Sequence, residues 1–142
     1  MRRRQAWRQA LGLLLVSGAL AGACIVAERR PAGPEEVRIH VAALRSQAAE
    51  LDNLQTLERQ HCVTPAFARR HARQLEQAVA RERSGLAALH IEQPRLEALR
   101  VQAHRMAGEL ATALRAAQQR GAPSAPALAR ELQGLEEALP TS

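Results

Sequence analysis

From Val37 to Leu139 apolar residues return at steps of three and four, and the pattern breaks chiefly at short proline-containing segments. Such spacing lines the apolar side chains along one face of an α-helix, whereas a strand requires alternation. The first stripe, Val37, Val41, Leu44, Ala48, Leu51 and Leu54, predicts a helix over Pro34 to His61. Thr64 before Pro65 reads as an N-cap and a first helical residue, because proline lacks only a donor that is unpaired at that position. The second stripe is Ala68, Ala72, Leu75, Val79, Leu86 and Leu89, with a kink expected near Gly85, a residue that costs a helix about 1 kcal/mol. The break at Gln93-Pro94 opens a third helix. There Leu96, Ala103, Leu110 and Ala117 recur every seven residues, with Leu99, Met106 and Ala113 in the companion positions of a heptad seam. Gly121 and Pro123 end it. Ser124 and Pro126 begin a short fourth helix carrying Leu128, Leu132, Leu135 and Leu139.

The chain of 142 residues contains 30 Ala and 20 Leu, strong helix formers, so an all-α fold of one domain is expected. Three helices of about 25 residues, each about 38 Å long, suit an antiparallel up-down-up three-helix bundle with a short fourth C-terminal helix. The alternative is a long αα-hairpin or coiled coil of helices two and three that needs a partner. The bundle is favoured because a two-helix unit with an Ala-rich seam buries little area on its own. Trp7 and Phe67 are the only aromatic residues, which nearly removes sites that stack bases, sugars or flavins. The seams should be narrow, suiting docking surfaces or rigid spacers better than ligand pockets.

Ahead of this region lies a segment of different character. Arg2, Arg3, Arg4 and Arg8 precede an apolar run from Ala10 to Ala27, and Glu28-Arg29-Arg30 follow it. A basic start followed by about 18 largely apolar residues is the pattern of an export signal or a short membrane anchor, and the excess of Arg before the run keeps the amino end in the cytosol. Within the run, Leu20-Ala21-Gly22-Ala23-Cys24 resembles the lipobox of bacterial lipoproteins, with Ala21 where that family usually carries leucine. The resemblance covers these few residues only. It implies cleavage before Cys24, acylation of the Cys24 sulfur, and an anchor of two or three acyl chains, more secure than one. Ile25, rather than Asp, after Cys24 implies passage to the periplasmic face of the outer membrane in a Gram-negative host. The organisation expected is then 1–23 export signal, 24–36 lipidated Cys and tether, and 37–142 helical domain. The other reading of the run is an uncleaved signal anchor.

Without the four leading arginines the chain has 16 Arg, no Lys and 14 acidic residues, too nearly neutral for a field that draws nucleic acid. The charge is unevenly placed, however. Arg59 to Arg83 hold six Arg and two Glu, and Arg69, Arg70, Arg73 and Arg81 are the expected interaction face, since guanidinium groups hold acidic partners by paired hydrogen bonds. With Cys24 acylated, Cys62 is the only remaining thiol, either free or joining two chains. His61, Cys62 and His71 are the only residues whose types and placement suggest soft metal ligands, and they define the alternative reading of a metal- or stress-responsive periplasmic protein. His104, one step beyond the seam residue Ala103, is expected to point outward. The sequence carries no readable nucleophile-base pair, carboxylate pair or phosphate loop. The expectation is therefore a non-catalytic exported module without cofactor or small-molecule substrate. Its contacts would be the membrane, through its anchor, and a protein partner or a second copy of itself.

Overall fold

Each helix opens on a proline. The computed structural model describes residues 31–120 and 126–140, which form α1 (Pro34–Arg59), α2 (Pro65–Ala88), α3 (Pro94–Arg120) and α4 (Pro126–Ala138). The fold is all-α, with no strand among the described residues. The export-type segment, Cys24, Gly121, Pro123 and Ser124 lie outside them.

Local chemistry sets the ends. In α1 the Glu36 carboxylate accepts from the Gly33 N–H at 2.9 Å, and Glu35 and Glu36 put negative charge in a first turn whose dipole favours it. The helix thus starts at Pro34, as the sequence reading expects. Its other end falls at Arg59, two residues short of His61, because His61 takes the left-handed conformation with φ of 57°. The Cys62 N–H then donates to the Leu57 carbonyl at 2.9 Å and the His61 N–H to that of Glu58 at 3.0 Å. That is the Schellman arrangement, with histidine in the place that glycine usually takes. Thr64 Oγ1 accepts from the Phe67 N–H at 3.2 Å, capping α2 as expected.

α2 continues as helix through Gly85 to Ala88. The glycine answers a contact: a Cβ there would stand 2.9 Å from His40 Nε2 and 3.1 Å from Nδ1. The imidazole of α1 fills the space that a side chain on α2 would need.

All four helices feed one buried cluster, and α2 with α3 is the most extensive pair, followed by α1 with α4 and α1 with α2. On α1 the predicted stripe is the buried one, from Val37 to Leu54. On α3 the buried face is wider than a heptad seam, because Ala107, Ala111 and Leu114 join Leu96, Ala103, Met106 and Leu110. Leu132, Leu135 and Leu139 bring α4 into the same core. Arg38 fastens its end, donating from Nη2 to the Pro140 carbonyl at 3.0 Å, and Arg45 lies 3.2 Å from the Glu136 carboxylate. No helix among the described residues is long and apolar enough to cross a membrane.

Candidate functional site

One turn of α-helix carries 3.6 residues, so positions 69, 70, 73 and 81 share the side of α2 turned from the core stripe Ala68, Ala72, Leu75, Val79 and Leu86. Arg69, Arg70, Arg73 and Arg81 are all exposed, and none makes an ion pair with a described residue. Arg38, Arg45, Arg100, Arg105 and Arg115, by contrast, each lie within 4.0 Å of a carboxylate. The ridge is therefore a stretch of charge that the fold itself does not neutralise.

Beside the ridge the two longest-paired helices part enough to form a cleft of about 410 Å³. It is lined by the apolar residues Val79, Ala80, Ala87 and Ala111 together with Glu76, Arg83, Ser84, His104 and Arg115. This differs from the expectation of seams too narrow for pockets. Alanine at both sides of a helix pair leaves volume wherever the neighbouring long side chains turn to solvent. His104 also departs from its expected outward direction: one residue step turns only about 100° from Ala103, which puts the ring at the cleft wall.

The electrostatics of the cleft are lopsided. Glu76 is engaged at one end, accepting from Gln118 Nε2 at 2.7 Å and lying 3.4 Å from Arg115 Nε, which also donates to the Ala111 carbonyl at 3.2 Å. At the other end Arg83 meets no carboxylate among the described residues. Its Nε donates to His104 Nε2 at 3.3 Å, so the ring must be neutral with its proton on Nδ1. Burial, then the charges of Arg83 and Arg100, hold the His104 pKa below the ordinary histidine value of 6.5. Arg100 itself is satisfied. It grips Glu97 through two bonds of 2.7 Å, holding that carboxyl below its usual range, and donates from Nη1 to the Leu86 carbonyl at 3.0 Å.

The three residues proposed as soft metal ligands have other roles. His61 is the left-handed cap residue of α1, and Cys62 is exposed and free, its sulfur 3.7 Å from the Gln60 carbonyl. His71 Nε2 bonds Glu50 Oε1 at 2.6 Å while its ring stacks on Phe67 at 5.7 Å between centroids. The described residues contain no group of three or more His, Cys, Asp or Glu placed to hold a metal ion. The sequence reading did not single out Arg83 or Arg115 and turned His104 outward, because the Arg83–His104 and Glu76–Arg115 contacts form only across a helix pair. The one available signal was the run of positive charge that ends at Arg83.

Comparison with known proteins gives no match: no family model, curated protein or solved structure is similar to this chain.

Proposed function

We propose that this chain is an exported, lipid-anchored, non-catalytic helical module of the cell envelope that docks an acidic protein surface. The observation that carries the reading is the sequence Leu20 to Cys24 at the end of a basic and apolar leader, followed by a body that has its own core. Two or three acyl chains on Cys24 would fix the module to a bilayer, and the outer membrane is its destination if the host is Gram-negative.

The body is an antiparallel bundle in which all four helices alternate in direction. Cross-helix partners support this, because their numbers run in opposite senses. His40 bonds Glu82 at 2.7 Å, while Glu50, further along α1, reaches back to His71. Glu76 meets Gln118, whereas Arg83, later in α2, meets His104, earlier in α3. Arg38 meets Pro140 and Arg45 meets Glu136. This order gathers Ala32, His90 and Pro140 at one end, where the Ala32 N–H donates to the His90 carbonyl at 2.8 Å. His61 and Cys62 form the other end, about 39 Å away along the 26 residues of α1. Cys62 and the unpaired arginines nearest it, Arg69, Arg70 and Arg73, lie toward that other end of the bundle. An acidic protein is the occupant proposed, because guanidinium groups hold carboxylates by paired hydrogen bonds.

The test is Cys24→Ser in the native host, followed by fractionation. An acylated anchor predicts loss of processing and of the lipid label. An uncleaved signal anchor would leave size and membrane association unchanged, which would remove the lipoprotein reading. Crosslinking through Cys62 would then report the partner, whether a second copy or another acidic protein.

A further inference from the structure

The cleft between α2 and α3 holds two guanidinium groups whose hydrogen-bonding capacity is mostly unspent. Arg83 donates only from Nε, to His104, and Arg115 only from Nε, to the Ala111 carbonyl. The terminal amino groups of both have no hydrogen-bond partner among the described residues. Both line the same cleft, from its two ends. The Arg83 guanidinium carbon lies 4.0 Å from where a Gly108 Cβ would be, and Arg115 Nε sits at Ala111, three residues further, a rise of about 4.5 Å.

We propose that this cleft binds a phosphate-class oxyanion, held between the terminal amino groups of Arg83 and Arg115 with His104 at its wall. Planar forks of N–H donors match the oxygens of such a group in paired hydrogen bonds. The charged groups that act on His104 are Arg83 from α2 and Arg100 from α3, while Glu76 and Arg115 line the other end of the cleft. Glu76 and Glu97 already engage Arg115 and Arg100, so the uncompensated charge is that of Arg83, and an anion would complete it. Bound anion would offset the repulsion that now opposes protonation of His104. Binding and protonation are therefore linked: anion raises the His104 pKa, and affinity grows as pH falls through it. The small residues Ala80, Ala87 and Ala111 leave the room, and the Ser84 hydroxyl offers a further donor. The shared chemistry is a phosphate, free in solution or carried on a lipid headgroup.

The experiment follows the His104 imidazole by NMR during pH titration of the full chain in neutral detergent, with the signal assigned through His104→Gln. Inorganic phosphate is compared with chloride at equal ionic strength, and phosphatidylglycerol vesicles with phosphatidylcholine vesicles. A rise of the His104 pKa in inorganic phosphate supports a free-anion site, and a rise only with phosphatidylglycerol supports a headgroup site. Arg83→Gln and Arg115→Gln, both at the surface and checked by circular dichroism, should each weaken binding about tenfold or more. No difference from chloride and from phosphatidylcholine, or a shift that survives both arginine substitutions, overturns the proposal.

Discussion

The His40 imidazole occupies the position of the side chain that Gly85 lacks, and Glu82, one turn earlier on α2, holds the ring there at 2.7 Å. A glycine within a helix ordinarily costs about 1 kcal/mol relative to alanine, so Gly85→Ala should by propensity alone stabilise α2. Here the added methyl displaces His40 and breaks its bond to Glu82. The net expectation is a loss of roughly 1–2 kcal/mol, from overpacking and the lost hydrogen bond. In a His40→Ala background the same substitution should change sign and stabilise by about 1 kcal/mol. Denaturant midpoints followed at 222 nm measure both, and equal effects in the two backgrounds would contradict the steric account.

His61 sits at φ of 57°, where a Cβ is strained by roughly 1 kcal/mol. His61→Gly should therefore raise stability by about 1 kcal/mol while keeping the bonds from residues 61 and 62 to α1. A loss of stability on this change would mean that the imidazole makes a contact worth more than the strain.

The fourth helix is short, with 13 residues, and could not persist without tertiary support. Leu132 is wholly buried, so Leu132→Ala should cost about 3 kcal/mol. Arg38→Ala leaves the Pro140 carbonyl without its guanidinium donor and should cost about 1–2 kcal/mol. Hydrogen exchange places the effect: both substitutions should accelerate α4 amides most. Uniform protection across α1 to α4 in the Leu132 variant would show that α4 is not held by this packing.

How much of this was legible beforehand varies by element. Pro34, Pro65 and Pro94 mark helix starts because proline is tolerated only in a first turn, and the α1 and α2 stripes read directly from the three-and-four spacing of their apolar residues. The stripe of α3 was read too thin. Ala107, Ala111 and Leu114 are core as well, and spacing within one helix does not report where its neighbours lie. Gly85 read as a weak point in a helix and is instead matched to His40, 45 positions away in the chain. The ridge at Arg69, Arg70, Arg73 and Arg81 was visible as a local charge excess. The cleft was not, since Arg83, His104 and Arg115 depend on the register between α2 and α3.

Stability should depend on pH through His104. Its folded pKa lies below 6.5, the value taken for the unfolded chain, so on acidification the unfolded state takes up the proton first. The contribution is thus complete above pH 6.5 and is lost as pH falls from there to the folded pKa, below which the loss is constant. Urea midpoints measured through this window should fall less in His104→Gln, and Arg83→Gln should narrow the window by removing one cause of the shift. Identical slopes in native and His104→Gln protein would contradict this assignment.

Export and acylation at Cys24 are the claims on which the placement of every other surface depends. The chain has one Trp, at position 7, and no Tyr, so removal of the leader also removes nearly all absorbance at 280 nm. The direct measurement is the intact mass of the protein extracted from membranes. The account predicts a chain beginning at Cys24, heavier than its residues by two or three acyl groups. A mass equal to all 142 residues, with Arg2, Arg3 and Arg4 present and no acyl addition, would contradict it.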